Sequence, residues 1–343
     1  MSAVQQKKRV LTGITTSGTP HLGNYVGAIR PALERAADPS VESFLFLADY
    51  HSLINTRDPE RVRRSSFEIA ATWLACGLEP SVTVFYRQSD VPELLELTWI
   101  LGCLTAKGLL NRAHAYKAAV DENLKDDPDG DADRGITLGL FAYPVLMAAD
   151  ILMFDADQVP VGRDQIQHLE ITRDIAQRFN SQYGEGLFVL PEALIDESLM
   201  TLPGLDGRKM SKSYNNVIPL LQGEKPLRQA IMRIVTDSLE PGEPKNPDTS
   251  TVFALYSALA DADAREAMRA DLLGGLSWGE SKKRLLECAL EQLAEPMQRY
   301  QELCAAPDDV EDYLQKGAVR ARAIAGEHLD RVRAATGIGV VSR

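Results

Sequence analysis

The first half of the chain alternates short apolar runs with longer stretches of helical period. Residues 10–14, residues 42–48 with Ser-Phe-Leu-Phe-Leu at their centre, and residues 82–87 are largely apolar on consecutive positions, as strands buried on both faces of a parallel sheet have to be. Between them, residues 59–77 carry an amphipathic helical period closed by Gly77. Strand and helix in alternation predict a right-handed, doubly wound parallel sheet with helices on both faces. After Pro219 the alternation stops. Leu227, Ile231, Ile234 and Val235, then Phe253, Tyr256 and Leu259, then Leu286, Leu290, Leu293, Met297 and Tyr300 recur at helical spacing. The predicted fold class is α/β: a doubly wound, Rossmann-like parallel-sheet domain over residues 1–219, followed by a C-terminal all-helical domain over residues 220–343. The last helix is able to pack back on the first domain. Residues 240–247, with three prolines, are the most linker-like segment.

Composition narrows the classes of function. The 343 residues suffice for two cores, and 45% hydrophobic with 25% charged residues is ordinary for a globular protein. A formal net charge of -12 gives no general attraction to nucleic acid, so any contact with RNA has to use local basic groups. Arg112, His114 and Lys117, then Lys282, Lys283 and Arg284, then Lys316, Arg320 and Arg322 are such groups, and each also reads as a solvated helix face. Cys76, Cys103, Cys288 and Cys304 include no C-x-x-C pair and are expected as reduced core thiols. Asp129, Asp131 and Asp133 begin like a calcium loop, but Arg134 replaces the needed glycine and Leu140 the bidentate glutamate, so no metal site is assigned. Residues 94–110 are too apolar for a lone surface helix and belong either in the core or at a homodimer interface. The apolar stretch after Lys7-Lys8-Arg9 is too short for a signal, and no segment reaches the length of a membrane span. A cytoplasmic protein without a membrane partner is expected.

Candidate chemistry lies at the ends of the apolar runs. Residues 15–20 form the turn that ends the first strand, and Thr19 as N-cap with Pro20 at the first helical position predicts a helix opening on His21-Leu22-Gly23-Asn24. Free N–H groups there favour an anion, Gly23 lets a flat base lie against backbone, and His21 can donate to phosphate. A histidine satisfied at a helix cap is the alternative. Asp49 and His51 follow the second strand, where such folds bind ligands, and serve equally as contacts or caps. Lys209-Met210-Ser211-Lys212-Ser213 is flanked by turn formers and predicts a mobile loop carrying two ammonium groups, suited to a polyphosphate or simply a solvated basic turn. Residues 139–154 read as an apolar helix with one acid, Asp150. Tyr143, Met147 and Asp150 fall at i, i+4 and i+7 on one face, a hydroxyl, a thioether and a carboxylate that together suit an indole. Otherwise Asp150 caps a neighbouring loop.

Lys209 to Ser213 resembles the signature loop of the class I aminoacyl-tRNA synthetases, and His21-Leu22-Gly23-Asn24 resembles their other signature, with Asn24 in place of its second histidine. Residues 143–151 and 159–165 resemble the tryptophanyl-tRNA synthetases. The resemblance implies ATP-dependent activation of L-tryptophan and its transfer to tRNA(Trp), with ATP as substrate, Mg2+, and a homodimer in the cytoplasm. It makes residues 1–219 the ATP- and amino-acid-binding catalytic domain and residues 220–343 the anticodon-recognition domain. It assigns catalysis to His21, Asn24, Lys209 and Lys212, and ATP binding to Thr16, Gly23, Asn24, Gly162, Asp164, Met210 and Ser211. Tryptophan falls to Thr15, His51, Tyr143, Met147, Asp150 and Gln165: Asp150 receives the indole N–H, Met147 packs on the ring, and Tyr143 and Gln165 hold the amino group. The chain departs from the family in having Thr15-Thr16 where Gln-Pro is frequent, and Ala119 where a second lysine follows the position of Lys117. Three alternatives stay open at this point: a tyrosine-specific enzyme of the same fold, which typically carries Gln at the position of Met147, a small-molecule nucleotidylyltransferase, and a tryptophan-sensing protein that charges no tRNA.

Overall fold

The computed structural model describes residues 7–16, 18–162, 165–195 and 201–339. Five parallel strands form one sheet in the order β3-β2-β1-β4-β5: β1 (Lys8–Thr15), β2 (Val41–Ala48), β3 (Val84–Arg87), β4 (Gln158–Pro160) and β5 (Glu192–Leu194). β1 and β2 pair along their whole length, from Lys8 opposite Val41 to Thr15 opposite Ala48. The chain lays β2 and β3 on one side of β1, then crosses back to place β4 and β5 on the other. That reversal opens a crevice beyond the carboxyl ends of β1 and β4, the binding position of open α/β sheets. β4 and β5 have only three residues each, too few to register as apolar runs in the sequence.

Successive residues of a strand point to opposite faces, and the two cores divide accordingly. Leu45 and Leu47 of β2 and Phe85 of β3 join one core with Leu22, Ile29, Ile69 and Leu74. Phe44, Phe46, Val84 and Tyr86 join the other with Leu97, Val145, Ile151, Leu169 and Phe179. The helix Glu93–Leu104 places Leu94, Leu97, Ile100 and Leu101 in this second core, while Leu95 and Trp99, the latter 76% exposed, lie on the surface. Cys103 and Cys304 are exposed, so the thiols are not uniformly core residues, and burial pushes Cys76 up to about 12.

After residue 219 the helices are Glu224–Met232, Thr251–Leu259, Ala262–Leu273, Trp278–Ala305 and Pro307–Thr336. Leu227, Ile231, Leu255, Leu286 and Leu293 continue the first core, and Ala321, Ala325, Leu329 and Val332 of the last helix complete the second. The last helix lies on the free edge of β3 so closely that a Cβ on Gly317 would stand 1.7 Å from the carbonyl oxygen of Phe85. An edge covered by a helix offers no unpaired strand to another chain.

Four of the basic residues picked out by helical spacing are engaged within the chain. Arg320 donates to the carbonyls of Pro80 (2.8 Å) and Thr83 (3.2 Å), and Arg322 forks onto Glu93 at 2.9 Å. Lys282 donates to the carbonyls of Met232 (3.2 Å) and Ile234 (2.7 Å), and Arg284 pairs with Asp271. They fasten helices to the body of the protein.

Gly317→Ala forces the last helix away from β3. A loss of about 3 kcal/mol, the upper range for overpacking, is expected as a lowered urea midpoint with unchanged slope; an unchanged midpoint would show that the helix relaxes freely.

Candidate active site

The residues that follow the first strand are drawn into position by a distant part of the chain. Leu22 N–H donates to the Ile218 carbonyl at 2.9 Å, and His21 forms an antiparallel bridge with Pro219. This pairing holds His21 extended (φ -124, ψ 172), so the helix begins at Leu22. The start expected at Thr19 and Pro20 is therefore displaced, and the Thr19 hydroxyl donates to Glu68 instead. Asn24 accepts from His21 N–H at 3.0 Å through its Oδ1 and fixes the new start. The helical path then runs through Leu22–Asn24, a π-helical turn Tyr25–Ile29 and Arg30–Ala36.

Both signature segments meet here. A Cβ on Gly23 would lie 3.1 Å from the His21 ring and 3.3 Å from Met210 Sδ, and one on Gly18 would lie 3.6 Å from Lys212 Nζ. Glycine at 23 thus lets the imidazole and the thioether close on the backbone from different elements. A cleft of about 300 Å³ remains, lined by Thr19, Pro20, His21, Lys212, Pro219 and Gln222. Burial, with the positive charge of Lys212 adding to it, lowers the His21 pKa to about 4. Among the described residues its Nδ1 has no hydrogen-bond partner. The ring is neutral at pH 7 and meets an anion as a hydrogen-bonding dipole, a weaker role than that of a cation. Lys212 is held below its ordinary value by burial and by Arg61, against the opposing pull of Glu68.

The lysine loop is built on Asn216. Its Oδ1 accepts from Ser211 N–H at 2.8 Å, and its Nδ2 donates to Asp206 Oδ1 at 2.7 Å and the Lys209 carbonyl at 3.1 Å. Met210 N–H donates to the Leu202 carbonyl at 2.9 Å and Met210 is buried, while Lys209 is exposed and Lys212, exposed in part, brings its ammonium group to the cleft beside His21. The loop thus keeps its anchor inside and directs one of its two charges to the cleft.

A second cluster forms where β1, β2 and β3 end side by side. Thr15 is exposed at the rim, whereas Thr16 is buried with its hydroxyl turned to the Ala48 carbonyl at 3.5 Å. Beyond β2, Asp49 takes the capping role, accepting from Ser89 N–H at 3.0 Å and from the Ser89 hydroxyl. His51 reaches across instead and bonds through Nε2 to Asp150 Oδ2 at 2.9 Å. Beyond β3, Gln88 Nε2 donates to both Asp150 oxygens, at 2.7 Å to Oδ1 and 2.9 Å to Oδ2. Asp150 itself sits on the helix Leu138–Leu152 and is 1% exposed. Burial raises its pKa, and the bonds from His51 and Gln88 restrain the rise.

Tyr143 and Met147 lie on the same helix, each partly buried. The Tyr143 hydroxyl is hydrogen-bonded to His168 Nε2, and the His51 ring meets the Tyr143 ring edge-on at 6.3 Å. Gln165 caps the helix Ile166–Tyr183, its N–H donating to the Gly162 carbonyl at 2.9 Å. Asp164 lies outside the described residues. Sequence reasoning missed Gln88 and His168. Gln88 carried the same signal as His51, a polar residue just past a buried strand; His168 carried none, because only the packing of two helices brings it to Tyr143.

A five-stranded parallel crossover sheet with a cleft at the turn after β1 and a buried carboxylate near its carboxyl edge defines a nucleotide-binding enzyme of the doubly wound class. Residues 3–293 match the family described as tRNA synthetases class I (W and Y), and the chain belongs to that family. The Tryptophan–tRNA ligase of Pseudomonas aeruginosa is 60% identical over 332 residues, covering 96% of this chain and 74% of the relative. That of Neisseria meningitidis is 57% identical over 97% of this chain and 98% of its own length. Among solved structures, tryptophanyl-tRNA synthetase from Campylobacter jejuni complexed with ADP and tryptophan superposes with a TM-score of 0.87 at 40% identity, covering 96% of this chain and 100% of that one.

The neutral imidazole is directly measurable. In NMR of the ligand-free protein His21 titrates near pH 4, and Lys212→Gln, by removing a neighbouring positive charge, moves that titration upward; a midpoint at the ordinary 6.5 would contradict the buried ring.

Proposed function

We propose that the protein activates L-tryptophan with ATP to tryptophanyl-adenylate and pyrophosphate, and transfers the tryptophanyl group to tRNA(Trp). The observation that carries this reading is the buried Asp150 carboxylate, held by donors on an otherwise apolar helix. Its partners occupy three of about four lone-pair positions, which leaves one acceptor for a ring N–H. Met147 lies one turn away against the same core, suited to the indole face. A site built on a buried hydrogen bond rejects analogues that lack the donor far more strongly than an apolar slot does. The named relatives and the tryptophan and ADP of the Campylobacter jejuni structure support the same reading.

The tryptophan carboxylate is ionised at neutral pH and needs no base to attack the α-phosphorus of ATP. A bond forms between carboxylate oxygen and α-phosphorus, and the bond to the pyrophosphate oxygen breaks, carrying negative charge onto the leaving group. We assign Lys209 and Lys212 to that charge, with His21 and Asn24 at the phosphate turn, so that catalysis is positioning and electrostatic stabilisation. Thr16, Gly23, Gly162, Asp164, Met210 and Ser211 are assigned to ATP, with Thr16 contributing through its backbone, since its hydroxyl faces Ala48. Thr15, His51, Tyr143 and Gln165 join Met147 and Asp150 around tryptophan. Mg2+ brought with ATP would neutralise part of the triphosphate charge that Lys209 and Lys212 also meet. Transfer follows when the terminal 2′ hydroxyl of tRNA attacks the activated carbonyl carbon, the bond from that carbon to the phosphate oxygen breaks, and AMP leaves with the hydroxyl proton passing to its phosphate. Residues 220–343 are assigned to the anticodon, and the exposed Leu95 and Trp99 to a homodimer contact. Among the described residues no helix is long and apolar enough to cross a membrane; we place the protein in the cytoplasm, with its tRNA.

ATP–pyrophosphate exchange tests the first step: it is expected with tryptophan and absent with tyrosine or no amino acid. Exchange with tyrosine would reassign the pocket, and tryptophan binding without exchange would make the protein a sensor. Asp150→Asn should cost about 3 kcal/mol, roughly 100-fold in kcat/KM for tryptophan. Because burial raises the Asp150 pKa, protonation removes the acceptor at a higher pH than for an ordinary carboxyl group. In the wild type kcat/KM for tryptophan therefore falls on the acid side above that ordinary range, and Asp150→Asn abolishes this limb.

A further inference from the structure

Gln88 is fully buried and belongs to the short turn Gln88–Asp90 after β3. Its amide has only one possible orientation. Tyr50 N–H, which can only donate, lies 3.1 Å from Oε1, so Oε1 is the acceptor and Nε2 must face Asp150. Nε2 stands 2.7 Å from Oδ1 and 2.9 Å from Oδ2, at the open end of the carboxylate, where it takes the inward-facing lone pair of each oxygen. His51 Nε2 stands 2.9 Å from Oδ2 as a second donor to that oxygen, and with the inner position taken by Gln88 we assign it the outward-facing pair. The outward-facing pair of Oδ1 is what remains.

The turn that carries Gln88 is itself fixed. Ser89, the next residue, donates its N–H at 3.0 Å and its hydroxyl to Asp49, and Asp49 Oδ1 also lies 3.2 Å from Tyr50 N–H. The ends of β2 and β3 are therefore cross-linked by adjacent side chains, and Gln88 has no freedom to rotate away from Asp150. Preorganised donors of this kind set where an acceptor points before the ligand arrives.

We infer that Gln88 is the positioning residue for tryptophan selectivity: by occupying both inner lone pairs of Asp150 it presents a single Oδ1 acceptor, so that amino acids with a ring N–H are preferred over isosteres without one. This rests on the assignment of Asp150 to the indole N–H. Removing Gln88 frees the carboxylate to rotate and leaves its inner lone pairs unpaired. The preference for an N–H donor then declines even where the apolar pocket is intact.

The test compares tryptophan with its benzothiophene analogue, in which sulfur replaces the ring N–H, in ATP–pyrophosphate exchange by the full-length protein. The wild type is expected to prefer tryptophan. Gln88→Met, of similar length but without the amide, should raise KM for tryptophan and leave the analogue's KM nearly unchanged, narrowing the kcat/KM ratio about tenfold or more. Should Gln88→Met fail to fold, Gln88→Leu also removes the amide without adding a second carboxyl group beside Asp150, Tyr50 N–H keeps Asp49 Oδ1 as an acceptor at 3.2 Å, and the same narrowing is expected. A wild type that does not distinguish the two amino acids overturns the Asp150 assignment and the inference with it. A wild type that distinguishes them, with variants that keep the full ratio while losing activity on both substrates, overturns the inference alone and makes Gln88 a purely structural residue.

Discussion

A carboxylate removed from water must be surrounded by donors or give up its charge, and Asp150 meets that constraint with side chains from three separate parts of the chain. Its own helix supplies the apolar wall, the end of β2 supplies His51, and the end of β3 supplies Gln88. Such convergence is possible because parallel strands all end on one edge of the sheet. An antiparallel sheet would send alternate strand ends to opposite edges. The sheet topology therefore precedes the pocket in the causal order: with β1, β2 and β3 in parallel register, the residues just beyond them become neighbours.

The phosphate side obeys a different constraint. Here the local signal, Thr19-Pro20 before an apolar helical run, loses to a tertiary pairing in which His21 and Leu22 are held by Pro219 and Ile218. The consequence is chemical as well as geometric. Extending residue 21 buries its ring against Gly23 and near Met210, and burial with a lysine nearby keeps the imidazole neutral. The positive charge in this cleft is consequently concentrated on the lysine loop. Asn216 fastens that loop through its backbone, so the segment that brings Lys212 to the cleft is anchored apart from the charge it carries.

The alternation of apolar runs disclosed the parallel sheet because β1 and β2 are long and buried on both faces; β4 and β5 escaped because three residues carry no period. The spacing of Tyr143, Met147 and Asp150 was readable because a helix converts sequence interval into a shared face. What surrounds Asp150 was less readable. Gln88 is 62 residues from Asp150 and His51 is 99, separations at which only topology makes neighbours. The helix start was misplaced for the same reason, since Pro219 is invisible to any local reading of Thr19. The basic groups were readable only in part: helical spacing places Arg320 and Arg322 on an exposed face without telling that they also reach acids and carbonyls elsewhere in the chain.

The engagement of these arginines bears on how an acidic protein recognises RNA. With a net charge of -12, and with Arg284, Arg320, Arg322 and Arg333 engaged by acids or carbonyls of the same chain, general attraction to a phosphate backbone is weak. Each of these arginines ties its helix to another part of the chain, and its charge is offset by a neighbouring acid or committed to a carbonyl. Recognition of tRNA by such a surface has to draw on contacts to unstacked bases and on shape, where a protein gains specificity without a high positive charge. Internal pairing of arginine and selective binding of RNA are then compatible: pairing weakens the sequence-independent attraction to phosphate, and selection is left to base contacts.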